Sequence, residues 1–279
     1  MKINFAQKTA SRLIRLGYPS LLKNKFNYRF EKFEGNHKPP YLILANRATQ
    51  FDPFMISLSF NFPVCFTTND ETLQKSLAKA LLPFLPLPDL EKIFTDANQP
   101  PVLDLFAQNA AVCVFPEEAC GFFGKSTKFI PSICRLIRTC NVPVVFYELC
   151  SVYFALPRWS NSDKKGDCRG FVKSVWNPEE FSILSDKEIF DFVRKNICRN
   201  EFNTLQELSF KGNNRAEHLE TALYVCPKCH SISSLKSAKN ELFCMHCAAR
   251  AEYGENCKLN GDFFKALFSA FLTAVPKSI

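Results

Sequence analysis

The stretch Tyr41-Leu42-Ile43-Leu44-Ala45-Asn46-Arg47-Ala48-Thr49-Gln50-Phe51-Asp52-Pro53-Phe54 decides how this chain is read. Its first five residues are apolar, mostly branched or aromatic, and follow the Pro39-Pro40 pair, which is the signature of a short buried strand. A polar cluster comes next, directly before a new apolar segment. The carboxyl end of a strand is where α/β proteins collect their chemistry, so Arg47 and Asp52 are the first candidate site residues. Further strand-like pieces stand at 64–67, 111–115 and 142–147. They alternate with helix-like pieces at 52–60, 71–82, 100–108 and 130–140. That rhythm predicts an α/β fold with a mainly parallel sheet flanked by helices.

Beyond this unit, residues 157–187 read as a surface excursion, with Pro157-Arg158-Trp159 and a polar run over 160–166, ending in more strand. Ser185 followed by Glu188 is a capping box and starts a helix through Asn196. The Pro-rich piece at 82–88 reads as a loop.

Composition bounds the function. With 279 residues and 47% hydrophobic content, the chain can bury one sizeable core and carry a small appendage. A net charge of +8 suits an anionic membrane surface or a phosphate-bearing ligand. The 29 Phe residues are explained by core filling before a lipid-facing surface is invoked. No apolar run is long enough to span a bilayer and no signal peptide stands at the N-terminus, so a cytoplasmic setting is expected. Residues 1–30 read as one or two basic amphipathic helices, which either lie in a membrane interface or dock on the main domain.

Nine of the 13 cysteines are scattered singly. The other four form the pairs Cys226-Pro227-Lys228-Cys229 and Cys244-Met245-His246-Cys247, fourteen residues apart. Two such turns at ribbon spacing predict a structural Zn²⁺ held by Cys226, Cys229, Cys244 and Cys247, with no open position for water. His230 and Ala248 follow the pairs, where a left-handed backbone is expected. The basic residues here (Lys228, Lys236, Lys239 and Arg250) are offset by Glu241, Glu252 and Glu255. A nucleic-acid footprint is therefore not expected.

The first motif resembles that of the lysophosphatidic acid and glycerol-phosphate acyltransferases, Asn-His-x-x-x-x-Asp-Pro. Phe115-Pro116-Glu117-Glu118 resembles the family's Phe-Pro-Glu-Gly, and Val142-Pro143-Val144-Val145-Phe146 its Val-Pro-Val-Val-Pro. The resemblance covers roughly residues 25–200. Arg215-Ala216-Glu217-His218-Leu219-Glu220, with Tyr224 and Cys226, resembles a C-terminal extension of some bacterial members.

The resemblance implies transfer of an acyl group from acyl-CoA or acyl carrier protein to a lysophospholipid such as lysophosphatidic acid, peripheral to the inner face of a membrane. It implies that Glu117 and Lys125 contact the substrate and that Asp52 supports the catalytic base. The departures are specific. Arg47 stands where the family has its His, and a guanidinium has no acceptor atom with which to take a proton. Ala97 stands where the family has a phosphate-binding Arg, and Glu118 where it has Gly. Arg47 is expected to pair with Asp52 or to hold a phosphate itself. A second reading is thus a catalytically degenerate homologue that binds phospholipid or a partner; a nucleic-acid adaptor working through the ribbon is a distant third. The expected organisation is N-terminal helices over 1–30, an acyltransferase-like domain over 31–210, a zinc ribbon over 215–257 and a C-terminal helix over 258–279.

Overall fold

The computed structural model describes residues 5–35, 38–67, 101–203 and 208–261. The readings of 71–82, 82–88 and Ala97, and of the C-terminal helix beyond residue 261, lie outside them; Leu259–Asn260, placed at the start of that helix, form a strand.

The predicted strands form one six-stranded sheet with Arg29–Phe30, which the reading of 1–30 as helices misses. β1 (Arg29–Phe30), β2 (Tyr41–Ala45), β3 (Val64–Phe66), β4 (Ala111–Val114), β5 (Val144–Cys150) and β6 (Arg169–Trp176) lie in the order β1-β6-β5-β2-β4-β3. β5, β2, β4 and β3 run parallel; β6 pairs antiparallel with β5, and β1 runs alongside β6. Side chains alternate across the sheet with period two. Tyr41, Ile43 and Ala45 join one buried cluster, and Leu42 and Leu44 the other. Both faces are covered, which is why β2 reads as a continuous apolar run.

One face carries α1 (Phe5–Phe26) and α2 (Asp52–Ser57). Tyr18 stacks on Phe54 with ring centroids 4.7 Å apart, and Leu22 and Phe26 are fully buried, so the second half of α1 is docked on the domain. Leu16 and Leu21 face solvent. The opposite cluster lies under α3 (Pro101–Ala107), α4 (Ile133–Cys140) and α7 (Asp186–Ile197), whose Ser185–Glu188 capping box is present as read. Short helices α5 (Val152–Ala155) and α6 (Pro178–Phe181) precede and follow β6. Gly170 on β6 has no freedom to change: a Cβ there would stand 1.9 Å from the Tyr28 hydroxyl.

The C-terminal region forms a second, antiparallel sheet of β7 (Leu235–Ala238), β8 (Glu241–Cys244), β9 (Arg250–Tyr253) and β10 (Leu259–Asn260). It does not stand off as an appendage. Its Leu235, Leu242, Tyr253 and Leu259 belong to the same buried cluster as α1 and α2. Tyr253 meets Trp159 edge to face at 5.6 Å, and Phe210 packs on Phe154 at 5.6 Å. Lys165 and Lys211 exchange backbone hydrogen bonds of 2.8 and 2.9 Å. The buried Arg215 donates to the carbonyls of Tyr253 and Gly212 and to the Glu252 carboxylate. This packing corrects the reading of 157–166 as surface only in part, since Arg158, Asn161, Asp163 and Lys165 are exposed as read. Trp159 and Lys164 are buried where the C-terminal region packs on them.

Candidate functional site

Because β2, β4 and β5 are parallel, the loops after them gather at one end of the sheet. The loop after β2 is shaped by its own polar side chains. Asn46 is buried, and its amide exchanges two bonds with the backbone of Leu149, 2.9 Å to the carbonyl and 2.8 Å from the N–H. The side chain extends the β2–β5 ladder where the β2 backbone has begun to turn away.

Asp52, at the start of α2, closes the loop. Its carboxylate accepts from the Ala48 N–H at 2.7 Å, the Thr49 N–H at 2.9 Å and the Thr49 hydroxyl at 2.9 Å. Burial pushes its pKa up to about 6, against those three bonds and the field of Arg47. The loop's own donors, rather than the Arg47 guanidinium expected above, thus occupy both carboxylate oxygens, because backbone groups four and three residues upstream reach them first. The Arg47 guanidinium lies over the Phe115 ring, 5.7 Å from its centroid.

Glu117 comes from the loop after β4 and is 3% exposed. One oxygen accepts from the Arg47 N–H at 3.2 Å, the other from the Thr127 N–H at 3.0 Å. Burial pushes it up to about 7; those two N–H groups and the Ser126 hydroxyl oppose the rise, and the Asp52 charge adds to it. Glu117 thus holds the 47 backbone to the 117–129 loop, which closes through a bridge between Glu117 and Phe129. Glu118 is exposed and has no left-handed backbone, so a Cβ is tolerated where the family has glycine. The left-handed turn falls instead at Gly124, whose φ is +68°.

These loops border a cavity of about 410 Å³. Arg47, Thr49 and Cys120 line one side, Lys25 and Phe51 another, and Arg158 and Ser160 a third. Three cations, each on a different segment, therefore share one space. Arg158 is fixed by a 2.9 Å bond to the Cys120 carbonyl, and Lys25 pairs with Asp163 at 2.8 Å. Cys120 is a packed residue: burial pushes its thiol up to about 12, and it donates to the Ala48 carbonyl. Lys125 is not part of the lining; its backbone bridges Asn200. Lys25 and Arg158 had no local signal beyond their charge, since only the tertiary fold brings them to Arg47.

The four predicted metal ligands come together. The Sγ atoms of Cys226, Cys229, Cys244 and Cys247 all lie within 4.8 Å of one another, with Cys226 to Cys247 and Cys229 to Cys244 both 3.7 Å. A tetrahedron with metal–sulfur bonds of about 2.3 Å has edges of about 3.8 Å, so the group can hold a metal ion such as zinc. Each turn has the backbone it needs. His230 and Ala248 have φ of 57° and 56°, and their N–H groups return to the carbonyls of Cys226 and Cys244.

No family model matches the sequence, and no curated protein matches it. Among solved structures, the chain is similar to the 1-acyl-sn-glycerophosphate (LPA) acyltransferase PlsC from Thermotoga maritima. The TM-score is 0.52 at 15% identity, over 66% of this chain and 75% of that one. The mainly parallel sheet with flanking helices is thus an acyltransferase-like fold.

Proposed function

We propose that this chain is a lysophospholipid-binding homologue of the acyltransferases, which takes the phosphate of lysophosphatidic acid or a related lipid into the cavity through Arg47, Arg158 and Lys25. The observation that carries this reading is the placing of those three cations around one space at the end of the sheet that holds the polar motif. A guanidinium is suited to a phosphate because its planar donors match two oxygens at once. The same feature makes the family's route slow. Arg47 cannot take a proton from an acceptor hydroxyl, and both Asp52 oxygens already hold the loop. Acyl transfer from acyl-CoA or acyl carrier protein by that route is therefore weak. The four cysteines hold one structural Zn²⁺. The basic helix α1, with Leu16 and Leu21 outward, rests on an anionic membrane surface.

The test is binding of lysophosphatidic acid against monoacylglycerol of the same chain length. The wild type is expected to prefer the phosphate-bearing lipid, and Arg47→Gln and Arg158→Gln each to weaken it about tenfold or more, as loss of a charged hydrogen bond implies. Equal binding of both lipids, or no effect of either substitution, would refute the reading.

A further inference from the structure

Lys164 has no exposed surface, and among the described residues no carboxylate pairs with it. Its Nζ lies 3.1 Å from Ser160 Oγ and 3.3 Å from the Ser162 carbonyl, and 4.9 Å from the centroid of the Trp159 ring. A buried ammonium without an anion is expensive, and the less costly state is the neutral amine. Burial pushes Lys164 down to about 8, and Arg215 pushes the same way; Cys257, Glu217 and Asp163 oppose it. The Cys257 thiol supplies no anion, because burial raises it to about 12. Near neutral pH a share of Lys164 is therefore the neutral amine, 3.1 Å from Ser160 Oγ; that hydroxyl donates to the Ser162 carbonyl at 3.2 Å and must rotate to give its proton to Nζ.

Ser160 lines the cavity that also holds Arg47 and Arg158. The turn over 157–160 is held by the Ser160 N–H on the Pro157 carbonyl, and Ser162 N–H reaches Ser160 Oγ at 3.2 Å. We infer that Ser160 and Lys164 form a reactive pair, a serine nucleophile with a lysine general base, that accepts an acyl group from an activated ester or thioester entering the cavity. Ser160 Oγ attacks the carbonyl carbon while its proton passes to Lys164 Nζ. The carbon–sulfur or carbon–oxygen bond of the donor then breaks, and Lys164 returns the proton to the leaving thiolate or alkoxide. An acyl ester remains on Ser160; water or another hydroxyl, giving its proton to Lys164, attacks the ester carbonyl, the bond from carbon to Ser160 Oγ breaks, and Lys164 returns the proton to Ser160. Negative charge on the carbonyl oxygen forms in a space bordered by two guanidinium groups. The pair goes beyond the lipid reading and does not rest on it, because a short ester without phosphate is enough to test it.

The experiment is labelling of the full chain with p-nitrophenyl butyrate, followed by mass spectrometry of the intact protein and its peptides. A single butyryl group on Ser160 is expected, absent in Ser160→Ala and formed about 10²–10⁴-fold more slowly in Lys164→Met. Methionine is apolar and of similar length, so thermal melting of that variant reports whether the fold survives. Should it not, the wild-type pH profile decides: labelling that climbs about tenfold per pH unit and levels off near pH 8 supports the pair. A rate still climbing at about pH 10, label on other residues only, or an unchanged rate in folded Lys164→Met would overturn it. Failure of lysophosphatidic acid binding with Ser160 still labelled would sink the lipid reading alone.

Discussion

Replacing Glu117 by Gln should flatten the dependence of stability on pH. Glu117 is 3% exposed and Asp52 1%, and burial raises the first from 4.5 to about 7 and the second from 3.8 to about 6. The folded state therefore keeps protons that the unfolded chain has released. The stability this contributes is fully present below the ordinary values, near pH 4, and is lost as pH rises through about 6 and then about 7. Between about pH 5 and pH 7.5 linkage at about 1.4 kcal/mol per pH unit gives a loss of about 2 kcal/mol from Glu117 and about 1 kcal/mol from Asp52. The amide of the Glu117→Gln variant does not titrate, so the larger share of this slope should vanish. That amide accepts only one of the two N–H groups that Glu117 satisfies, which lowers stability at every pH by about 1–3 kcal/mol and leaves the slope unaffected. The assay is urea unfolding of both proteins at several pH values from about 5 to 7.5 with zinc held constant, so that metal-linked changes cancel in the comparison. Parallel curves for the two proteins would refute the argument that Glu117 is a buried, proton-retaining group.

Other expectations are checked independently. Elemental analysis should find one Zn²⁺ per chain; chelation or Cys226→Ser should shift Trp159 fluorescence as well as disorder the second sheet, since Trp159 packs on Tyr253. Asn46→Ala should strip partners from the N–H and carbonyl of Leu149, each buried loss costing about 1–3 kcal/mol in denaturant unfolding. Binding to anionic vesicles should weaken with added salt and in Leu16→Ser/Leu21→Ser, and a protein indifferent to anionic vesicles at low salt would refute the membrane placement. Arg47→His should gain far less acyl transfer to lysophosphatidic acid than the about 10²–10⁴-fold a working general base supplies, because Asp52 has no oxygen left to orient the imidazole.

Much of the fold was legible because its signals are local. The apolar runs of β2, β4 and β5 announce a doubly covered sheet, Ser185 and Glu188 announce their helix, and the two cysteine pairs place their four sulfurs. What escaped the sequence depends on distant partners. Arg47 and Asp52 stand five positions apart with opposite charge, so pairing them is natural. The outcome turned on the N–H groups of Ala48 and Thr49, which every residue but proline carries and no pattern displays. The 160–166 run reads as solvent-exposed because Ser, Asn, Asp and Lys are polar. Asn161, Asp163 and Lys165 are indeed exposed, but Lys164 and Gly166 are buried beside Arg215, Cys257 and Phe210, an approach only the second sheet's packing creates.

The retained residues of the first motif and of Phe115-Pro116-Glu117-Glu118 act chiefly on backbone. Asn46 extends a strand ladder, Asp52 ties off its own loop, and Glu117 holds that loop to its neighbour. These tasks keep the shape of an acyltransferase-like end of the sheet with no proton transfer at position 47. The proton acceptor proposed above, Lys164, lies behind Ser160 on the cavity wall, where the second sheet packs. A Cβ on Gly212 would stand 3.4 Å from Lys164 Cγ, and Arg215 and Cys257 complete the amine's surroundings, so the segment that leads into the metal-binding turns also removes water from the lysine.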